Sequence, residues 1–469
     1  MKSVTKSKRI LAVLSIAAVL VLAASCSQKS SAAPAAQQPG VSQAKQALDS
    51  QKDLNVSLVA GNFAESLQKI YTDYEKLTGT KVNYSVLGVN NYFQKMVVEL
   101  SSNTDAYDLI YLMSPQFLQY ASNGWLYPVD SLLADKSVTN DSLLDMGNLM
   151  TSSVDALRYE GKLYGIPVAS LTVLLYYRKD LFQAAGLDPN KPPKTWDEFR
   201  DYAIKLHKNG IAGMGMRGAR SAGGSEGLIW HWPMVLYSFG GDFVKDFPQD
   251  MTPVLNSPEA VKSVEYFADL LKNYSIKGAT TGNYEDITVA VQQGDLAMWI
   301  DGAAMVRNYI DPDKSKTKED MVGFVPIPTG PAPGKPGPLN VHSINIPAHS
   351  KNKERAWDFI QWSTSQDVLV KMSIEGNLVT VSRKTVYDNP EFKQVNNIGN
   401  GAWLAAMNES LANYARAQYR PLTPEWPEVA DIVSGYISEV FTGQLSAKAA
   451  LDRANEEVAK VYKDAGYIK

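Results

Sequence analysis

From residue 54 onward, short apolar runs alternate with longer stretches in which apolar side chains recur every three or four positions. The runs at 56–60, 82–86 and 108–112 are short and apolar or alternating, which predicts three β-strands. Between the first two, residues 63–77 have helical spacing, and Gly79 is placed to end that helix. This strand–helix–strand order predicts a mostly parallel sheet covered by helices, and therefore an α/β fold.

The same alternation continues further along the chain. Residues 171–177 and 343–347 have the apolar content of strands, and residues 353–362 have helical spacing. Thr195 is followed three positions later by Glu198, which is the spacing of a capping box. A helix is therefore predicted to begin directly after Thr195.

The N-terminal segment has a different pattern, with a basic stretch at 2–9 followed by about 15 apolar residues at 10–24. Such a run is too short to cross a bilayer but suits a signal peptide, here residues 1–25. It ends at Cys26 and resembles a bacterial lipoprotein signal, in which this cysteine is lipidated and becomes the new N-terminus. Residues 26–52 contain no aromatic residue and are rich in Ser, Ala, Gln and Pro, which predicts a flexible tether. We therefore expect an extracytoplasmic protein, in the periplasm or at the cell surface, anchored to a membrane.

The composition of the chain excludes several classes of partner and site. The 469-residue chain has 46 Lys and Arg against 49 Asp and Glu, and a formal net charge of −3. Non-specific nucleic-acid binding requires clustered positive charge, so that class of partner is excluded. Cys26 is the only cysteine and the four histidines lack metal-ligand spacing, so no intramolecular disulfide, zinc site or other metal cofactor is expected.

Two short patterns are typical of enzymes. Residues 213–218 fit G-x-G-x-x-G, but a strand and a helix do not flank them as a dinucleotide site requires. Residues 223–227 fit the G-x-S-x-G nucleophile elbow around Ser225, but the chain enters this turn from an apparent loop. A secreted serine hydrolase that uses Ser225 and a histidine base stays open as an alternative, whereas the main prediction is a protein that is not an enzyme.

The remaining candidate residues are of the types that bind carbohydrates. Sugar rings stack their C–H faces on Trp or Tyr, and their hydroxyls need planar polar partners such as Asp, Glu and Arg. Trp299 and Asp301 lie two residues apart, and a second cluster with Glu226 and Trp230 follows a glycine-rich loop after Arg217. These side chains predict a binding site for a polyhydroxylated ligand.

Seven fragments, in this order, resemble the family 1 extracellular solute-binding proteins of bacterial ABC importers. They lie at 74–82, 105–110, 161–167, 177–182, 194–199, 293–298 and 346–353. Four further fragments, at 216–218, 239–241, 297–301 and 424–428, are most similar to the sorbitol- and mannitol-type members of this family.

The resemblance implies a two-lobe periplasmic-binding-protein fold of the Venus flytrap type (type II), with the ligand cleft between the lobes. Lobe 1 would comprise 53–170 plus 343–386, and lobe 2 would comprise 171–342 plus 387–469, with chain crossings near 169–172, 342–343 and 383–389. The implied function is capture of a sugar or sugar alcohol by hinge closure, without a cofactor, and delivery to an ABC permease by a monomeric lipoprotein.

Trp299, Trp230 and Trp426 are predicted to stack on the ligand, and Asp301, Glu226 and Arg217 to bind its hydroxyls. The full set of candidate ligand-binding residues is Tyr92, Gln116, Ser170, Arg217, Glu226, Trp230, Trp232, Trp299, Asp301, His342 and Trp426. The alternative within the same fold is an oligosaccharide, an acidic sugar or a metal as ligand.

Overall fold

The computed structural model describes residues 53–221, 227–416 and 418–469. Within them the strands are β1 Leu54–Val59, β2 Val82–Leu87, β3 Leu109–Met113, β4 Arg158–Tyr159, β5 Lys162–Leu163, β6 Ile166–Leu171, β7 Val173–Arg178, β8 Val244–Asp246, β9 Asp250–Pro253, β10 Met298–Gly302, β11 Val322–Val325, β12 Gly337–Pro338, β13 Asn340–Asn345 and β14 Ala415–Arg416.

The α-helices of the same residues are α1 Asn62–Thr78, α2 Val89–Ser101, α3 Ser114–Ser122, α4 Asp130–Ala134, α5 Asp141–Leu144, α6 Thr151–Asp155, α7 Lys179–Ala184, α8 Trp196–Leu206, α9 Trp232–Phe239, α10 Pro258–Asn273, α11 Tyr284–Gln293, α12 Val306–Tyr309, α13 Lys353–Ser363, α14 Gln366–Glu375, α15 Lys384–Asp388, α16 Pro390–Val395, α17 Ala402–Glu409, α18 Trp426–Phe441 and α19 Ala447–Asp464. Strands and helices therefore alternate along the described chain, as an α/β fold requires.

The predicted early elements are confirmed. The helix predicted over 63–77 is α1, and Gly79 caps it in the left-handed conformation with φ of 75°. The helix predicted after Thr195 is α8, and Thr195 and Glu198 form the complete capping box. These features depend on neighbours within one turn, which is why local spacing predicts them.

The first sheet has five strands in the order β2-β1-β3-β13-β6. Strands β1, β2 and β3 are mutually parallel, as predicted, and the register of the first pair runs from Leu54 opposite Val82 to Val59 opposite Leu87. Strand β13 is antiparallel to both β3 and β6, so four of the five strands share one direction. Their carboxyl ends therefore meet at one edge of the sheet.

The second sheet has three strands in the order β10-β7-β11, with β7 antiparallel to both neighbours. The chain passes from the first sheet to the second at Thr172, between β6 and β7, and this residue is within the predicted crossing at 169–172. It returns at Leu339, directly before β13. The predicted return at 342–343 falls inside β13, which pairs along its length with the first sheet. The lobe boundaries stay a prediction.

The two faces of β7 belong to different hydrophobic cores because side chains alternate along a strand. Leu174 and Tyr176 pack into the core that also contains β1 and β3, whereas Leu175 and Tyr177 pack into the core around α8, α9 and α10. Trp299 of β10 joins the first group, where its ring stacks on Tyr176 at a centroid distance of 5.2 Å and an interplanar angle of 2°.

In the part of the chain that the structure describes, none of the helices combines the length and apolar content needed to cross a bilayer. The predicted signal peptide, the predicted lipidation site Cys26 and the whole of the predicted tether lie outside the described residues.

Candidate functional site

A cavity of about 410 Å³ is lined by residues that both sheets and their helices position. From the first sheet come Tyr111 of β3 and His342 of β13, together with Gln116 at the start of α3. From the other side come Arg217 and Trp230. The carboxyl ends of parallel strands, where ligands bind in open α/β sheets, thus contribute one wall of the cavity.

The cavity is bounded by polar and aromatic side chains as well as by apolar ones. Those with hydrogen-bonding side chains are Asn62, Glu65, Tyr111, Gln116, Arg217, Trp230, Asn283, Tyr284, Asn308, Asn340, His342 and Thr380. This mixture of apolar rings and planar polar groups is what a ligand with C–H faces and hydroxyls requires.

The strongest electrostatic feature is the ion pair between Arg217 and Asp301. Arg217 Nε donates to Asp301 Oδ2 at 3.2 Å and its Nη2 donates to Oδ1, while the backbone N–H of Gly302 donates to Oδ1 at 2.6 Å. Asp301 is completely buried. Burial opposes its ionisation, but Arg217 and these hydrogen bonds hold the pKa of Asp301 below its ordinary value.

The guanidinium of Arg217 also lies near two aromatic rings. Its central carbon is 5.8 Å from the ring centroid of Trp230 and 5.4 Å from that of Tyr284. Both distances are within the range of a cation–π interaction. Together with the bidentate contact to Asp301, these rings keep the guanidinium in one orientation at the cavity wall.

Trp230 is 4% exposed and lines the cavity. Its Nε1 has no hydrogen-bond partner among residues 53–221, 227–416 and 418–469. Buried indole N–H groups are usually hydrogen-bonded. The unpaired Nε1–H is therefore a cost of placing this ring at the cavity wall.

His231 supports this arrangement from behind. Its Nδ1 accepts from the backbone N–H of Arg217 at 3.1 Å, so its Nε2 carries the proton and donates to the carbonyl of Ile300 at 2.7 Å. Burial lowers the pKa of His231 to about 4, against an opposing contribution from Asp301. The neutral imidazole therefore connects the Arg217 segment to β10 and uses both of its ring nitrogens.

On the opposite wall, the hydroxyl of Tyr111 donates to Nδ1 of His342 at 2.5 Å. Burial lowers the pKa of His342 to about 3, so this imidazole is also neutral near pH 7. Beside it, Ser114 Oγ donates to Asn340 Oδ1 at 2.8 Å, which fixes the orientation of the Asn340 amide. This wall offers neutral hydrogen-bonding groups in defined positions.

Helices α1, α2, α3 and α11 all begin at the cavity, since residues of their first turns or N-caps are Asn62, Val89, Gln116 and Asn283. The first N–H groups of a helix have no partner inside the helix and carry a partial positive charge. The first turns of these helices therefore add partial positive charge around the cavity.

Four of the residues predicted from the sequence line this cavity: Gln116, Arg217, Trp230 and His342. Asp301 lies directly behind Arg217. Glu226, like Ser225 of the alternative nucleophile elbow, lies outside the described residues.

The other candidates have structural partners instead. Tyr92 donates from its hydroxyl to the carbonyl of Ser57 and accepts from the N–H of Tyr111. The Ser170 hydroxyl is hydrogen-bonded to the buried hydroxyls of Ser153 and Ser382. Both residues thus support strands next to the cavity without lining it.

The three remaining tryptophans are core residues that do not line the cavity. Trp232 donates from Nε1 to Ser263 Oγ at 2.9 Å, and Trp426 packs edge-on against Phe243 at 5.2 Å. Trp299 is stacked on Tyr176. Burial of large aromatic rings in cores is common, and sequence spacing does not separate such rings from ligand-binding ones.

Several lining residues were not predicted. Asn62 and Tyr284 are the first residues of α1 and α11, and Tyr111 and Asn340 are on strands of the first sheet. The rule that ligands bind at strand ends directs attention to the turn before α1, but Tyr284 has no comparable local signal. Among the described residues, no group of three or more His, Cys, Asp or Glu side chains is arranged to hold a metal ion.

A cleft between two α/β bodies, with the chain crossing repeatedly between them, defines the class of two-lobe ligand-binding proteins. Comparison with known sequences gives the family. The bacterial extracellular solute-binding protein family matches residues 60–369, about two thirds of the chain, and this protein belongs to that family.

Similar proteins give further detail. A mannitol-binding protein of Pseudomonas aeruginosa is 27% identical over 437 residues, which cover 89% of this chain and 94% of the relative. An ABC-transporter solute-binding protein of Agrobacterium radiobacter, solved in complex with ribitol, superposes with a TM-score of 0.77, 26% identity and coverage of 87% and 98%. Another solute-binding protein, from Agrobacterium vitis and with bound D-mannitol, superposes with a TM-score of 0.76 and 26% identity. The match covers 89% of this chain and 100% of that one. The predicted two-lobe fold is confirmed.

Proposed function

We propose that the protein is an extracytoplasmic receptor that captures a small, neutral sugar or sugar alcohol and delivers it to the permease of an ABC importer. The observation that carries this proposal is the cavity between the lobes, where a fixed guanidinium and neutral amides and imidazole are combined with aromatic rings. The similarity to a mannitol-binding protein and to structures holding ribitol and D-mannitol supports the same ligand class.

The assignment of ligand contacts follows from the lining of the cavity. The rings of Trp230 and Tyr284 form the apolar surface for the carbon chain or sugar face. Arg217, Gln116 and Asn340 provide donors and acceptors for hydroxyls. Trp299, Trp232 and Trp426 act in the cores, and Asp301 acts through Arg217.

Binding proceeds by hinge closure. The chain passes between the sheets at Thr172 and Leu339, and both are short connections that can serve as hinges. A ligand in the cavity contacts both lobes only when they are closed, so it shifts the population toward the closed form. The closed form of a monomer is then the species that the permease recognises.

Calorimetry with purified mature protein tests the proposal, with D-mannitol, D-sorbitol, ribitol, D-tagatose and maltose as probes. We expect one or more of the monomeric polyols or sugars to bind. A preference for maltose would favour the oligosaccharide alternative, and absence of binding to every probe would contradict the proposal.

The site assignment has its own test. Trp230→Ala is expected to raise the dissociation constant about 10- to 100-fold, as loss of a central aromatic contact does. Trp125→Ala is the matched control, because Trp125 does not line the cavity. Equal effects of the two substitutions would argue against Trp230 as the stacking surface.

We also propose that Cys26 carries the membrane anchor. The sequence around it resembles a lipoprotein signal, and two acyl chains or their equivalent are needed for stable anchoring. Labelling cells with a fatty-acid analogue should mark the wild-type protein and the Ser27→Ala control, but not Cys26→Ala, which should leave the membrane fraction. Labelling that persists in Cys26→Ala would contradict the anchor.

A further inference from the structure

Asp301 has an unusual position for a charged residue near a binding site. It is completely buried on β10 and does not line the cavity, whereas its ion-pair partner Arg217 does. Both carboxylate oxygens are occupied, by Arg217 Nε and Nη2 and by the N–H of Gly302. Asp301 therefore cannot be explained as a direct hydroxyl ligand in this arrangement, and its charge must act through Arg217 and the field of the cavity.

The charges around the cavity show what that field does. Among the described lining residues, Arg217 is the cation and Glu65, on the exposed side of α1, is the acid. The N-termini of α1, α2, α3 and α11 add partial positive charge around the same cavity. Without a compensating carboxylate, guanidinium and helix ends together would make a good anion site. Asp301 supplies that compensation from inside the protein, where water and salt screen it little.

We propose that Asp301 is a specificity-determining residue that makes the cleft select neutral polyols against the corresponding sugar acids. This inference rests on the proposed function and names the charge state of its ligand. An aldonate carries a carboxylate where the polyol carries a hydroxymethyl group, and in the cavity that carboxylate would lose its hydration beside a guanidinium whose charge Asp301 already neutralises. A hydroxyl carries no charge, and it can both donate and accept hydrogen bonds. Leaving the charge of a competing ligand desolvated and uncompensated is a recognised way to obtain specificity.

Substitution Asp301→Asn tests this directly, because it changes the charge by one unit and keeps the size and one acceptor oxygen of the side chain. Calorimetry at pH 7 would compare D-mannitol with D-mannonate, and ribitol with D-ribonate, for wild type and variant. The wild type should bind each polyol at least about tenfold more tightly than its aldonate. In Asp301→Asn the ratio of the two affinities should shift toward the aldonate by about 10- to 100-fold.

The matched control is Asp313→Asn, which also removes one negative charge but at an exposed position that does not line the cavity. It should change the ratio much less, because solvent screens exposed charges. An equal shift in both variants would indicate a general charge effect and overturn a specific role for Asp301.

The outcomes separate the two proposals. If the wild type binds a polyol but binds its aldonate equally well, the inference is overturned even if Asp301→Asn does not fold. If the wild type discriminates and the folded Asp301→Asn variant keeps the same ratio, the inference is also overturned while the proposed function stands. A wild type that binds neither member of either pair would overturn the inference, and absence of binding to D-sorbitol, D-tagatose and maltose as well would overturn both.

Discussion

Two tryptophans predicted to stack on the ligand have different environments in the structure, and this difference can be measured. Trp299 is completely buried against Tyr176 and Tyr309, whereas Trp230 reaches the cavity wall beside Arg217. We expect Trp299→Ala to lower the free energy of unfolding by about 3–5 kcal/mol, because it leaves a cavity in the core. Urea denaturation measures the effect. A Trp299→Ala protein with wild-type stability and weakened ligand binding would instead indicate that this ring contacts the ligand.

A second residue-scale prediction concerns pH. The pKa of His231 is lowered from 6.5 to about 4 by burial and by Arg217, against the opposing charge of Asp301. The unfolded chain therefore binds a proton between pH 6.5 and 4 that the folded protein does not bind. Stability should be unaffected by this group above pH 6.5 and should fall by about 3 kcal/mol as the pH falls to 4.

The check is the free energy of unfolding as a function of pH in wild type and in His231→Gln. The variant should lose stability less steeply between pH 6.5 and 4. His349→Gln, at an exposed position, is the control and should keep the wild-type slope. Identical slopes for all three proteins would show that His231 is not the group responsible.

At the scale of elements, helix α8 depends on its capping box. Thr195 Oγ1 accepts from the backbone N–H of Glu198, and the Glu198 carboxylate accepts from the N–H of Thr195. Thr195→Ala removes one partner of the first-turn N–H groups and should cost about 1 kcal/mol of stability. Thr195→Ser keeps the hydroxyl and should restore most of that loss in the same denaturation experiment. If Ala and Ser behaved alike, the hydroxyl would not be the source of the stability.

At the scale of the whole molecule, the two sides of the cleft are in contact with each other in the described chain. Asn62 Nδ2 of α1 donates to the carbonyl of Ala304, beyond β10, at 2.9 Å. Such contacts across the cleft are lost when the lobes open. We therefore expect saturating D-mannitol to decrease the radius of gyration measured by solution X-ray scattering, as ligand shifts the population toward the closed form. Trp230→Ala at the same ligand concentration should show a smaller decrease. An unchanged radius in wild-type protein that calorimetry shows to be saturated would contradict closure.

Much of the fold follows from local sequence. The three parallel strands β1, β2 and β3, the glycine that ends α1 and the capping box of α8 were all predictable, because each depends on residues within a few positions of one another. The position of β13 between β3 and β6 was not predictable from spacing, since its partners lie about 170 to 230 residues earlier in the chain.

Some features of the candidate site, like those of the fold, can be predicted from the sequence and others cannot. The sequence by itself determined the family and a set of candidate residues whose aromatic and polar side chains suit a polyhydroxylated ligand, since those depend on residue type and motif order. Only the tertiary structure decided that Trp230 lines the cavity while Trp299 stacks on Tyr176, and that Asp301 acts from behind Arg217. The physical reason is that burial and charge compensation depend on partners far away in the chain, which the spacing of neighbouring residues does not specify.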